Sequence, residues 1–354
     1  MSLAVQPIGE VLPLLGSGFD CVIDARSPAE FAEDHLPGAV NWPVLDDEQR
    51  RVVGTLYKQV SPLEARKLGA VLVARNIARH LEREMQGKPR EWRPLVYCWR
   101  GGQRSHALAW YLGQVGFRTV QLAGGYKAFR EHVRHDLETL PTGFAFHVLC
   151  GRTGSGKTRL LGALAAAGAQ VLDLEGLACH RGSVLGGLPA QPQPSQKAFD
   201  TAVWSALHAF DPARPVFVES ESRKIGTLRV PESLLRHMHA EGRCLRVEMP
   251  MPARLQLLLE DYGFFGDDAE GFCRLIDGLV EMRGRQTVDA WQALARAGQW
   301  SQVFAELMQA HYDPLYDRSI RRSFPHIDQA EAVSLADGSP AALRAAAVRL
   351  VGRD

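Results

Sequence analysis

Short apolar runs alternate with amphipathic stretches along most of the chain. "FDCVIDAR" (19–26) predicts a strand, followed by a turn at Ser27-Pro28 and a short helix over "AEFAEDH". "PGAVNWP" (37–43) predicts a turn leading into an extended piece, and the stretch from roughly 61 to 87 a long amphipathic helical region. Leu95, Val96 and Tyr97 end a further strand, and Leu108, Ala109, Tyr111 and Leu112 then fall at helical spacing. "TVQLAGG" (119–125) predicts a short strand, and "YKAFREHVRHDLETL" a highly charged helix. This alternation is that of a parallel α/β unit. After "PTG" (141–143) it restarts, with "FAFHVLC" (144–150), "AQVLDLE" (169–175), "PVFVES" (215–220) and "CLRVEMP" (244–250) as strands. Residues 252–323 read as mainly helical, "FPHIDQ" (324–329) as a closing strand and "SPAALRAAAVRLV" as a terminal helix. The pattern places a domain boundary near 140, giving units 1–140 and 141–354.

Composition refines this picture only modestly. A length of 354 residues suits two domains, and 46% hydrophobic with 23% charged residues suits an ordinary globular protein with sizeable cores. Lys+Arg 41 against Asp+Glu 40 leaves almost no net charge, so a nucleic-acid partner would need a local basic patch. "RSIRR" (318–322) and "ARNIARHLERE" (74–84) are candidates, the second being equally well an exposed helix face. The six cysteines, at 21, 98, 150, 179, 244 and 273, form no CxxC pair, which suggests neither a zinc knuckle nor a disulfide framework. The first residues lack the basic start and long apolar core of a signal peptide, and no apolar run reaches membrane-spanning length. The expectation is a cytoplasmic protein with free thiols and no membrane partner.

"CWRGGQRS" (98–105) is the first candidate site. It places Cys98 on a strand-loop-helix turn. Gly101 and Gly102 let the backbone curl so that loop N–H groups converge, at a helix N-terminus that favours an anion. Arg100 and Arg104 add positive charge, so Cys98 is expected to be a reactive thiolate. Trp99, Gln103 and Ser105 complete the loop. A structural cysteine would more usually sit mid-strand among apolar neighbours.

"GRTGSGKT" (151–158) is the second site, a full G-x-x-x-x-G-K-[ST] match between a strand and a helix. Gly151, Gly154 and Gly156, with Arg152, Thr153 and Ser155 between them, form the backbone cradle of a P-loop for a diphosphate or triphosphate. Lys157 supplies a point charge, and the Thr158 hydroxyl suits magnesium, the one candidate cofactor. Glu219 and Glu221 at a strand end stand where such proteins place a magnesium-holding carboxylate, with Arg223 close behind; they read equally as a base or as solvated carboxylates. Asp173, Glu175, His180 and Arg181 in "DLEGLACHRGS" follow another strand end, where an open α/β sheet binds its ligand. Cys179-His180 has no partner pair at metal spacing, so no metal site is expected there.

Residues from about 15 to 137 resemble a rhodanese domain. "DARSPAEFAEDHLPGAVNWP" is similar to the early signature of that family, "LAGGYKAFR" to its last strand and helix, and Cys98 falls where the family carries persulfide sulfur. The C-x5-R spacing from Cys98 to Arg104 is one residue longer than the usual sulfurtransferase loop and is found in related phosphatases, which suits a larger anion such as selenophosphate. A rhodanese-like unit fused to a P-loop NTPase-like α/β unit with a helical C-terminal part resembles the tRNA 2-selenouridine synthase family. "VGTLYKQVSPLEARKLGA" (53–70), "DLEGLACHRGS", "QPQPSQKAFD" (191–200), "ESESRKIG" (219–226) and "HYDPLYDRS" (311–319) also match that family.

The resemblance implies a selenotransferase and geranyltransferase acting on tRNA that carries wobble 2-thiouridine. Its substrates would be geranyl diphosphate and selenophosphate, with no tightly bound cofactor and with a selenophosphate-producing enzyme as a partner. S-Geranylation would precede displacement by selenium; alkylated sulfur leaves C2 of uracil far more readily than a thione. Cys98 would carry selenium as a selenopersulfide, and the P-loop would hold the diphosphate. The rivals are a C-x5-R phosphatase using Cys98 and Arg104, a sulfurtransferase with an ATP-binding regulatory domain, and a non-enzymatic RNA-binding or sulfur-carrier protein.

Overall fold

In the computed structural model, which describes residues 3–183, 185–187 and 191–352, the strand-helix alternation produces two parallel sheets. The chain divides into two units, Met1–Asp136 with Pro194–Thr201, and Leu137–Gln193 with Ala202–Asp354.

The first unit holds β1 (Ala4–Gln6), β2 (Cys21–Asp24), β3 (Ala39–Asn41), β4 (Pro94–Tyr97) and β5 (Val120–Leu122), all parallel, in the order β1-β5-β4-β2-β3. Every residue of the central β4 is buried, as a strand covered on both faces requires. Ile23, Val96 and Trp92 share a core with Ile77 of the helix Pro62–Glu84 and with Leu108, Ala109 and Leu112 of the helix Gln103–Val115. The chain runs from β2 outward to β3, then returns to β4 on the other side of β2. The end of β4, where Cys98 follows, is therefore the point at which the strand order reverses.

The second unit holds β6 (Phe146–Cys150), β7 (Gln170–Leu172), β8 (Val216–Glu219), a two-rung hairpin of β9 (Lys224–Ile225) and β10 (Leu228–Arg229), β11 (Arg243–Glu248) and β12 (Glu331–Ser334). Its main sheet is parallel, in the order β12-β11-β6-β8-β7, with the reversal at β6. The helices Lys157–Ala166 and Pro340–Val351 contribute Leu160, Leu161, Leu164, Leu343, Ala346 and Ala347 to one core. Helices between Met251 and Ser323 enclose a second core rich in aromatic rings, among them Tyr262, Phe265, Phe272, Trp291 and Phe304.

Three differences from the sequence pattern have local causes. The long helical region is preceded by a separate helix, Asp47–Gln59; the break falls where Ser61 accepts from Leu63 and Glu64 and Pro62 takes the first helical position. "FPHIDQ" is not a strand. Phe324 and Ile327 are buried from a short turn, and the closing strand is β12 just beyond it, where Val333 alone is buried. The boundary near 140 also omits an excursion: Pro194–Thr201, from "QPQPSQKAFD", packs within the first unit. There Lys197 pairs with Glu33 at 2.7 Å, Asp200 with Arg130, and the Thr201 hydroxyl donates to buried Asp34 at 3.0 Å.

Candidate functional site

Two strand ends carry the candidate chemistry, one in each unit. In the first, Cys98 follows β4 with its side chain 3% exposed. The Ser105 hydroxyl donates to Cys98 Sγ at 3.1 Å, the contact a sulfur anion uses. The loop keeps its shape through the "LAGGYKAFR" turn. Tyr126 N–H donates to the Cys98 carbonyl at 2.8 Å and Lys127 N–H to that of Trp99 at 2.9 Å. Gly125, at φ +57°, lies so close that a Cβ would stand 2.2 Å from the Cys98 carbonyl oxygen. Gly101, at φ +64°, also faces a close carbonyl, with a Cβ 2.6 Å from that of Leu122, whereas Gly102 has open space around it.

The other loop residues fall into distinct places. The Trp99 ring packs against Tyr126 with centroids 5.4 Å apart, and Lys197 Nζ lies 5.8 Å from the Trp99 ring. Arg100 and Gln103 are exposed. Arg104 is joined to Glu30 by contacts of 2.6 and 3.3 Å. Burial alone would raise the Glu30 carboxyl, but the Arg104 hydrogen bond and charge outweigh it and hold the group below its usual range. The Arg104 charge thus acts beside the loop through a carboxylate pair, an arrangement that C-x5-R spacing alone did not show. Gln121 of β5 and His106 also reach this site, and neither belongs to the quoted loop.

In the second unit the cradle forms at the end of β6. Gly154 and Gly156 take φ +77° and +81°, and a Cβ on Gly151 would meet the Ser155 hydroxyl and the Val247 carbonyl. Lys157 Nζ donates to the Gly151 carbonyl at 2.7 Å, inside the cradle. The helix Asp313–Ser323, from "HYDPLYDRS", supports the loop from outside. Arg152 donates to both Asp317 oxygens at 2.9 and 2.6 Å. Buried Arg254 bridges Asp313 and the Thr153 carbonyl, and Lys157 Nζ stands 5.9 Å from the Tyr316 ring. Sequence pattern marked this stretch without assigning it a place; its acidic residues at i and i+4 were the available signal.

Glu175, Glu219 and Glu221 converge, one oxygen of each lying within 4.8 Å of the others. Thr158 Oγ1 donates to Glu175 at 3.3 Å, and one oxygen of buried Glu219 has no hydrogen-bond partner among the described residues. Burial, then repulsion from Glu219 and Glu221, pushes the Glu175 carboxyl up to about 9 against the pull of Lys157 and Thr158. Burial and Glu219 push Glu221 up to about 7, and burial raises Glu219 too. Three carboxylates beside a threonine hydroxyl fit a hard divalent cation, which takes oxygen ligands.

The remaining crevice residues serve other contacts. Asp173 caps the helix Leu174–Ala178 by accepting from Gly176 N–H at 2.8 Å. His180 Nδ1 accepts from Gly182 N–H at 3.1 Å, and burial lowers its basicity. Arg181 donates to the Asp261 carbonyl and lies over the Tyr262 ring. Arg223 is exposed and lies just before β9.

Residues 9–132 match the rhodanese-like domain family, and residues 144–272 match the family described as the tRNA 2-selenouridine synthase AAA domain. The chain is similar to the tRNA 2-selenouridine synthase of Nitrosomonas europaea, 37% identical over 68% of this chain and 63% of that protein. It is similar to that of Alcanivorax borkumensis, 32% identical over 85% and 90% of the two chains, and to that of a Sulfurovum species, 32% identical over 86% and 90%.

Proposed function

Because the chain belongs to the tRNA 2-selenouridine synthase family, enzymes that modify tRNA, we propose that it converts wobble 2-thiouridine to 2-selenouridine in two steps, each centred on one strand-end site. In the first step the 2-thio sulfur attacks C1 of geranyl diphosphate. The C–O bond breaks, and its electron pair leaves with the diphosphate. In the second, the selenium of selenophosphate attacks C2, geranylthiolate departs and takes up a proton, and water takes the phosphoryl group as the P–Se bond breaks.

The observation that carries this reading is the presence in one chain of a diphosphate cradle and a loop-borne thiol with a hydroxyl aimed at its sulfur. Lys157 and the loop N–H groups would take the diphosphate charge. Thr158, Glu175, Glu219 and Glu221 would hold a magnesium ion, which supplies further neutralisation of the leaving group. A geranyl chain, unlike a nucleotide, would need apolar surface beside the loop. Leu258 packs against Gly154, 3.1 Å from the place of a Cβ, and belongs to the aromatic core with Tyr262 and Phe265. Cys98 would mobilise selenium from selenophosphate, the product of a separate enzyme. The Arg104–Glu30 pair weighs against a phosphatase, whose arginine must be free to clamp phosphate.

Separated steps test this reading. In nucleotide-free buffer with magnesium, thiouridine tRNA and geranyl diphosphate, the protein should form geranylated tRNA. Lys157→Ala should fail at this step yet still selenate pre-geranylated tRNA. Cys98→Ser should do the reverse and accumulate the geranylated nucleoside. An absolute need for ATP would overturn the geranyl assignment, and normal 2-selenouridine from Cys98→Ser would overturn the role of the thiol.

A further inference from the structure

Cys98 stands at the end of a hydrogen-bonded row whose polarity is set by one contact. The Gly101 carbonyl, an acceptor only, lies 2.6 Å from a terminal atom of the Gln121 side chain. That atom is the amide nitrogen, because two carbonyl oxygens at this distance would repel. The amide oxygen therefore faces His106 Nδ1 at 3.2 Å, and Nδ1 carries the proton. The second amide hydrogen is given to Ser105 Oγ at 3.1 Å. Having accepted there, the hydroxyl has one proton to give, with Cys98 Sγ at 3.1 Å and the Gly102 carbonyl at 3.2 Å as acceptors. Gln121 and Ser105 are both buried. Between the two acceptors, a sulfur anion attracts the proton more strongly than a neutral carbonyl.

We propose that Gln121 is a positioning residue for Cys98: its donation to Ser105 leaves the hydroxyl proton free for the sulfur, and His106 holds the Gln121 amide the right way round. This deepens the reading of Cys98 as the reactive thiol and rests on it. Along this row each link runs donor to acceptor toward the sulfur, while Cys98 Sγ itself lies 3.9 Å from the Gly102 carbonyl, the acceptor a thiol proton would use. Charged groups on the loop and on the segments packed against it, namely Arg100, Arg104 with Glu30, Lys127 and Lys197, stay constant in the variants below.

The test is the pH profile of Cys98 alkylation by iodoacetamide, followed at the Cys98 peptide by mass spectrometry in the full-length protein. Gln121→Met, close in shape and uncharged, should move the midpoint up by about one pH unit, a roughly tenfold slower reaction at neutral pH. In a Ser105→Ala background the same change should add nothing. His106 is exposed, so its variants spare the core. His106→Leu should shift the profile in the same direction as Gln121→Met, and His106→Asn, whose amide nitrogen can stand in for Nδ1, should retain the native profile. Unshifted profiles in both Gln121→Met and His106→Leu would overturn the proposal. So would a Gln121→Met shift of equal size without Ser105. The readout needs neither selenium nor tRNA. A Cys98→Ser protein that still made 2-selenouridine would therefore defeat the reading of the thiol's role while leaving the relay result standing.

Discussion

Glu175, Glu219 and Glu221 show how a single residue's environment departs from its sequence neighbourhood. The spacing of Glu219 and Glu221 after a strand is readable, but the arrival of Glu175 from the end of β7 is a matter of topology. Raised carboxyl values mean that the folded state holds protons which the unfolded chain releases above the ordinary value of 4.5. Stability of the metal-free protein should therefore fall as pH rises from about 5 through 7 to 9. Thermal melting against pH should show this slope. Added magnesium should offset it, binding more tightly at higher pH because it displaces protons. Glu219→Gln should flatten the slope, and an equally steep one in that variant would contradict the assignment. Arg104 carries the same lesson. Its charge was legible in C-x5-R, but its partner, Glu30, lies 74 positions away in sequence.

At the scale of the element, the two strand-end loops depend on glycines and on helices that brace them. The turn at Gly124 and Gly125 matters because Gly125 sits against the Cys98 and Gly101 backbone. Gly125→Ala should displace the loop and abolish Cys98 alkylation and selenation, while geranylation continues. Gly102→Ala, at φ −92° with open space around the added carbon, should be nearly silent in the same assays. The helix Asp313–Ser323 plays the bracing part for the P-loop. Asp313→Ala would leave Arg254, 4% exposed, without its charge partner. A loss of about 3 kcal/mol in denaturant unfolding is expected, the usual cost of breaking a buried pair. Asp317→Ala, whose bond to Arg152 is half exposed, should cost about 0.5 kcal/mol or less.

Across the whole molecule, the pattern of alternating strands and helices was sufficient for two parallel α/β units, but contiguity misled at Pro194–Thr201. Those residues lie far along the chain yet complete the first unit, covering Asp34, which burial raises against the hydrogen bonds from Tyr126 and Thr201. A fragment ending at Asp136 should accordingly bind a peptide spanning 191–208, measurable by calorimetry or by Trp99 fluorescence. Arg130→Ala in the fragment should weaken binding by removing the partner of Asp200. No binding at all would show that the packing of this segment needs the rest of the chain.

The sequence by itself determined the two cradles. Glycines at fixed offsets, a cysteine or a lysine at a strand end and a following amphipathic helix are local features, and local geometry follows from them. The apolar runs determined the central strands for the same reason, since β4 and β6 are buried on both faces and are almost wholly apolar, His147 being the polar exception in β6. Only tertiary structure decided which distant groups meet the loops: Gln121 on Ser105 beside the sulfur, Glu175 beside Thr158, Asp317 on Arg152. Such partners come from other strand ends and other helices. Their meeting depends on strand order and register, and no periodicity within a short window encodes that.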